Sequence, residues 1–446
     1  MKIASILTPL TAAALLLPAA ALLPNAAQAE PMTFSVGGYF TQSLQLVDID
    51  DYDDITFEDE VLAQNAEIHF KGKTMLSNGT ELGIRIELEA SDAEDQIDEH
   101  YLYMKGDWGK LIVGAENGIG HLMQVRAPRF VPGLKMFDNS LTEDTYETAF
   151  DRHLADEAIE DAHMSTKLEH ISGDANKLSY MTPSVGGLQI GFSFAPNNDD
   201  RYGGEQNAVA SNEGGTVDDQ PNQEDIIELG VSYKGSINDV GYKFSYTEVE
   251  GDTRVNDNKP ESTSVGLALQ YGDWVLGGNM SEYKHLNEVD SRYANSESIE
   301  TTSYALKYRL NKDSYVGIGF TDCEEMRHEP RTSGIVENGN LGDDNEIGGT
   351  ADNADSDIPA ITFEGSLMTT YEEMMIGGGT KLGSGLSLGF YYTIAEAAHQ
   401  TVSGGVVTPP VAVASADDTP GSISDYEVSE DDTEISAVGI TLALRF

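Results

Sequence analysis

A single cysteine, Cys323, stands in the 446 residues. No disulfide can form within the chain, so its stability has to come from backbone pairing and packing. A lone thiol of this kind reads as a small buried hydrophobe. Bases are outnumbered: 26 Lys and Arg face 76 Asp and Glu, for a formal net charge of −50. That balance excludes nucleic acid as a general partner, because phosphate binding needs a basic surface. Past residue 23 no apolar run approaches the ~18–20 residues of a membrane-spanning helix. Motifs of metal chemistry are missing too. There is no H-E-x-x-H and no paired-cysteine spacing. In a chain with 76 acids, a carboxylate near His69, His121, His153 or His163 is expected by chance. Gly377-Gly378-Gly379 and Gly114, Gly118 and Gly120 sit on or beside strand patterns with no following helix, so neither set reads as a phosphate cradle.

What is present is alternation. At the carboxy-terminus Val438, Ile440, Leu442, Leu444 and Phe446 occupy every second position, with Gly439, Thr441, Ala443 and Arg445 between them. A period of two puts the two sets on opposite faces of a strand. From Thr80 to Ala90, Leu82, Ile84, Ile86 and Leu88 alternate in the same way with Glu81, Gly83, Arg85, Glu87 and Glu89, and Ala66–Thr74 repeats the pattern. A helix would scatter these residues around its axis. Ser77-Asn78-Gly79-Thr80 between them predicts a hairpin with a two-residue turn at Asn-Gly. The amino-terminus has one charge, Lys2, then an apolar stretch over 12–23 and a small-x-small site at Ala27-Gln28-Ala29. Residues 1–29 therefore read as a cleaved signal peptide, and 30–446 as one exported domain.

Sixteen candidate strands follow: 32–47, 61–75, 80–91, 97–106, 109–117, 166–183, 187–195, 225–236, 239–250, 261–272, 274–284, 299–311, 314–324, 368–382, 386–397 and 434–446. Short turns follow the even strands and long connections follow most odd ones, up to the acidic stretches 325–357 and 398–433. Loops sorted by parity fit a closed antiparallel transmembrane β-barrel of about 16 strands in a bacterial outer membrane, with short periplasmic turns and long extracellular loops. The mean hydropathy of −0.32 does not oppose this, since a strand apolar outside and polar inside averages to nothing. The 45 glycines exceed the usual ~7% share and suit tight turns and close strand approach.

Three motifs resemble a known family. Tyr101-Leu102-Tyr103-Met104-Lys105-Gly106-Asp107-Trp108-Gly109-Lys110-Leu111-Ile112-Val113-Gly114 is similar to a strand-turn-strand of Gram-negative general diffusion porins. Asn176-Lys177-Leu178-Ser179-Tyr180-Met181-Thr182-Pro183 with Gly186-Gly187-Leu188 resembles their sixth-to-seventh hairpin. Leu444-Arg445-Phe446 resembles the ending read by the barrel-assembly machinery, which makes Phe446 an assembly signal. The resemblance implies a water-filled barrel, a homotrimer among outer-membrane lipid and lipopolysaccharide, no cofactor, and a third long loop folded inward to narrow the pore.

Parity places Glu67, His69, Lys71, Glu81, Arg85, Glu87 and Glu89 on the lumen face, with Lys234, Lys243, Lys307 and Arg309 from later strands. The connection Gly118–Ser165 is too long for an ordinary loop. It carries Arg126 and Arg129 first, then Glu143, Asp144, Glu147 and Asp151, and the resemblance makes it the constriction loop. Rings of such charges select ions. The expected function is passive diffusion of ions and small hydrophilic solutes, with a weak to moderate cation preference. The alternatives are a substrate-specific channel, a binding or adhesion role of the loops, or a barrel hydrolase. Asp48, Asp50, Asp51, Asp53 and Asp54 form an acidic cluster suited to a loosely held Ca²⁺ or Mg²⁺, although it lacks the Gly and Glu of an EF-hand loop.

Overall fold

A computed structural model describes residues 30–49, 60–90, 97–134, 166–168, 171–198, 223–253, 259–284, 296–327, 364–403, 406–408, 422–424 and 427–446. Its strands are β1 (Thr33–Ile49), β2 (Glu60–Met75), β3 (Glu81–Glu89), β4 (His100–Gly106), β5 (Gly109–Ala115), β6 (Asn176–Met181), β7 (Leu188–Asn197), β8 (Gln223–Ile237), β9 (Val240–Thr253), β10 (Glu261–Tyr271), β11 (Trp274–Lys284), β12 (Ser296–Arg309), β13 (Ser314–Arg327), β14 (Glu364–Gly383), β15 (Leu386–Ser403), β16 (Val406–Thr408), β17 (Ser422–Ser424) and β18 (Glu427–Arg445). β1–β15 and β18 close into one antiparallel barrel of sixteen strands, while β16 and β17 pair only with each other.

The seam lies between the two ends of the chain. β1 pairs with β18 from Tyr39↔Arg445 to Ile49↔Ile435, and Gly38 and Phe446 exchange both backbone hydrogen bonds, at 3.0 and 3.2 Å. The alternation read in the sequence sets the faces. Leu44, Leu46, Val438 and Ile440 point outward and are about half exposed, whereas Ser43, Gln45 and Thr441 between them point inward and are fully buried. A soluble protein does not leave so continuous an apolar band uncovered; a barrel bathed in lipid requires one.

Connections sort by rim. On one rim the links are residues 76–80, 107–108, 182–187, 238–239, 272–273, 310–313 and 384–385, together with the start of β1 and the end of β18. All the long links share the other rim. The turn at 76–80 differs from the two-residue form predicted for Asn78-Gly79. Leu76 N–H donates to Thr80 O and Gly79 N–H to Leu76 O, both at 2.9 Å, so Ser77-Asn78-Gly79 is a three-residue loop. Gly79, at φ +81°, supplies the left-handed residue that this loop type needs.

Three boundaries correct the sequence reading. The strand expected over 166–183 is only Asn176–Met181; residues 171–174 turn instead, and the segment before them packs inside the barrel. β4 begins at His100 rather than at 97. The acidic stretch 398–433 is not all loop: β15 runs on to Ser403 and β18 begins at Glu427, where the ladder continues from Ala398↔Asp432 to Ser403↔Glu427.

The outward face gives a direct test. Ile440→Arg should cost about 2–4 kcal/mol of folding stability in lipid vesicles, the size of a cation on a lipid-facing barrel position. Lys312→Glu at the short-turn rim should cost under about 0.5 kcal/mol. Urea titration in vesicles reads both, and a harmless Ile440→Arg would contradict the assignment of faces.

Candidate functional site

The third long connection folds into the barrel. It leaves β5 at Glu116, makes one helical turn, α1 (Ile119–Leu122), and then runs along the inner wall to Leu134. Ile119 N–H donates to Ser193 Oγ on β7 at 2.9 Å, and Gly120 N–H to Glu228 Oε2 on β8 at 2.6 Å. Val125 N–H donates to Ser245 Oγ on β9 at 2.8 Å. Farther round, Lys307 Nζ on β12 donates to Arg129 O, and Thr441 Oγ1 on β18 to Pro132 O, each at 2.7 Å. Buried backbone must find partners of this kind, and the wall supplies them from inward-facing serines, threonines and acids.

Room for the loop comes from glycine. A Cβ at Gly191 or Gly230 would overlap Met123 and Ile119, one at Gly317 would overlap Phe130, and one at Gly377 or Gly379 would overlap Val131 or Pro132. Every one of these positions faces the lumen by register. Phe130, Val131 and Leu134 are then buried against Ala305, Met375 and Tyr391. Gly377-Gly378-Gly379 thus has a structural role that the sequence reading did not assign.

The returning limb docks beside the outgoing one. Thr166 O accepts from Ser281 Oγ at 2.7 Å and from Asn279 Nδ2 at 3.2 Å, and Lys167 O accepts from the Tyr283 hydroxyl. Leu168, Ile171 and Ala175 join Val47, Ile226, Val249, Ile299, Cys323 and Ile435 in one buried cluster. Where this limb docks, the lumen face is therefore apolar toward the long-connection rim. Glu228 clamps both limbs: Oε2 holds Gly120 and Oε1 accepts from Ser172 Oγ at 2.5 Å. Its isolation on the inward parity, among Ile226, Ile227 and Leu229, was the signal that could have revealed it.

The family model for Gram-negative porins matches residues 11–353. The chain belongs to the Gram-negative porins. No curated protein matches the sequence. Among solved structures, this porin is similar to OmpT, an outer membrane protein of Vibrio cholerae, at 11% identity and TM-score 0.48, covering 94% of this chain and 99% of that one. It is likewise similar to an anion-selective porin from Comamonas acidovorans (12%, TM-score 0.48, 93% and 100%) and to the outer membrane channel DcaP of Acinetobacter baumannii (10%, TM-score 0.49, 95% and 100%). Family and fold place the chain in the Gram-negative outer membrane as a channel.

Two of the motifs that carried the resemblance are neighbours in space. β5 pairs with β6, the Trp108 and Tyr180 rings stack with centroids 6.3 Å apart, and the Tyr180 hydroxyl donates to Trp108 O at 2.6 Å.

Of the expected pore residues, His69, Lys71, Arg85 and Glu87 meet on one patch of wall, because His69 lies opposite Glu87 and Lys71 opposite Arg85 in the β2–β3 register. Glu67 joins them through its Oε2, 2.6 Å from His69 Nε2. Arg126 and Arg129 ride on the inward loop, where Arg126 and Arg445 both bear on Arg129. Glu143, Asp144, Glu147 and Asp151 lie outside the described residues, as do residues 1–29 and Asp50, Asp51, Asp53 and Asp54. Asp48 is exposed near the end of β1. Lys234 and Lys243 face each other across β8–β9 on the lumen parity, and Lys307 and Arg309 share that parity on β12.

Just outside the strands, burial and the neighbouring Glu116 push the Glu99 carboxyl up to about 8. Asn117 Nδ2 donates to Glu99 Oε1 at 3.0 Å.

The clamp makes a prediction. Two hydrogen bonds to one buried carboxylate contribute on the order of 3 kcal/mol, so Glu228→Ala should loosen the loop while leaving the barrel closed. Single-channel recordings should show larger and noisier currents in a protein that still migrates as a folded barrel on unheated gels. Unchanged currents would contradict the clamp.

Proposed function

We propose that this porin passes ions and small hydrophilic solutes by passive diffusion through a lumen with two opposed electrostatic zones. The observation that carries the reading is a set of like-charged pairs placed directly opposite one another on the inner wall. Lys71 faces Arg85, Lys105 faces Lys110 and Lys234 faces Lys243. Such pairs destabilise a sheet, and a sequence tolerates them where function requires the field. All three lie toward the short-turn rim, where Lys307, Arg309, Lys381 and Arg445 also face inward. Glu67, Glu87 and Glu89 lie farther toward the long-connection rim on β2 and β3. In an outer-membrane barrel the short turns are periplasmic, so solutes meet acids first and bases second.

The cation preference belongs to the acidic outer mouth. Screening decides how it is expressed, because charges act over ~8 Å at physiological salt and over ~30 Å at 0.01 M. With dilute KCl on the long-loop side, reversal potentials should show moderate cation preference. With the gradient inverted, that preference should fall or change sign as the basic zone takes control. Equal selectivity in both directions, or anion preference with the outer side dilute, would overturn the two-zone reading. Current steps in threes in the same recordings would support a homotrimer, which the family resemblance supports as an expectation.

The Phe446 end supports a second part of the reading, an assembly signal for the barrel machinery. Its ring points outward, 60% exposed, so it contributes little to the pore. Deleting Phe446 should lower the amount of folded porin recovered from outer membranes several-fold and leave the conductance of the folded fraction unchanged. Full recovery would remove that role.

A further inference from the structure

We propose that Glu67, His69 and Glu87 form a binding site on the lumen wall for a divalent transition metal of the zinc class. The site arises from register. Glu67 and His69 are two apart on β2 and share its inner face, and Glu87 is the direct partner of His69 on β3. One ligand atom from each lies within 4.8 Å of the others. Glu67 Oε2 is 2.6 Å and Glu87 Oε2 3.0 Å from the same atom, His69 Nε2.

The second oxygen of each carboxylate is already held. The Tyr39 hydroxyl donates to Glu67 Oε1 at 2.5 Å, and Arg85 Nε forms an ion pair with Glu87 Oε1. Both Glu side chains are thereby turned so that Oε2 aims at the imidazole nitrogen, the arrangement by which outer-shell partners orient metal ligands. The Tyr39 ring also meets the His69 ring edge-on, at 6.1 Å between centroids, which limits rotation of the imidazole.

Zinc-class ions bind imidazole nitrogen and carboxylate oxygen at about 2.0–2.2 Å, usually tetrahedrally. That spacing puts donors ~3.3–3.5 Å apart, so the two short separations must open by less than about 1 Å, within the reach of flexible Glu side chains. The mixed nitrogen and oxygen set favours a borderline transition metal over calcium or magnesium, which prefer all-oxygen cages. His69 and Glu67 retain some exposure, so the fourth position opens to the lumen. A second group, Glu67, Glu89 and Asp98, has only carboxylates and would favour the harder ions.

Arg85 tempers the affinity. Its Nη2 stands 3.4 Å from His69 Nδ1, too long for a strong hydrogen bond. Metal at Nε2 leaves the ring proton on Nδ1, so the guanidinium has to withdraw toward Glu87.

The test uses the full porin in detergent with Cu²⁺ or Zn²⁺ as the only added metal. Cu²⁺ electron paramagnetic resonance should show hyperfine coupling to imidazole nitrogen at one equivalent, and Zn²⁺ should compete it away. Excess Ca²⁺ or Mg²⁺ should not. His69→Gln should abolish the nitrogen signature, and Glu87→Gln should weaken Zn²⁺ binding at least tenfold, in variants still folded by gel mobility. The acidic loops add weak carboxylate binding, but that background carries no nitrogen coupling from His69. A nitrogen signal that survives His69→Gln, or competition by Ca²⁺ at the same site, would overturn the proposal. The readout does not depend on conductance, so it can fail while the diffusion reading stands.

Discussion

In hydrocarbon every main-chain N–H and C=O of a membrane-spanning wall lacks an outside partner, and an unpaired group there costs several kcal/mol. Closing the sheet on itself removes the edges, and the rest of this porin depends on that closure. Once Gly38 and Phe446 are joined, the register of all sixteen strands is determined around the ring. Period two then decides which residues face lipid and which face the lumen. The one-residue offset between Leu44 and Gln45 separates an apolar exterior from an interior able to hold water, charge or a folded loop.

That interior is divided by the third connection. Its residues 119–134 need backbone partners, which Ser193, Glu228, Ser245, Lys307 and Thr441 supply, and room, which the lumen glycines supply. The cost is local: glycine weakens a strand by roughly 0.5–1 kcal/mol relative to alanine. What the wall loses in intrinsic strand preference is offset by burial of Phe130, Val131 and Leu134 inside. On the wall of β2 and β3, Glu67, His69, Lys71, Arg85 and Glu87 form a polar patch. Positioning of the loop and composition of that patch are thus two consequences of one register.

Much of the wall was legible in the sequence because a strand's face is a local property. Leu82–Glu89 shows its alternation without reference to any other segment, and the parity of the connections gave the barrel class. His69, Glu87, Lys71 and Arg85 could be assigned to the lumen for the same reason. The loop's path was not legible, since its partners are distant: Thr441 lies 309 residues from Pro132, and Glu228 lies 108 from Gly120. Gly317 and Gly377 read as ordinary strand glycines until the loop that fills their missing side chains is in place. Residues 166–168 and 171–175 misled for a related reason, as a segment docked on a sheet has strand-like composition without joining the ladder. Glu67 completed the wall cluster only when the register put its carboxylate beside His69.

The docking of the third connection on the wall is the central claim, and an engineered disulfide tests it most directly. A Cβ at Gly230 would stand 3.2 Å from Met123 Cβ, near the ~3.5–4.5 Å of a disulfide. In a Cys323→Ser background, Met123→Cys with Gly230→Cys should oxidise readily in the folded porin, shift its mobility on non-reducing gels and leave no thiol for labelling. Two thiols that stay reduced and reactive under mild oxidant, in a barrel that remains folded, would contradict the account.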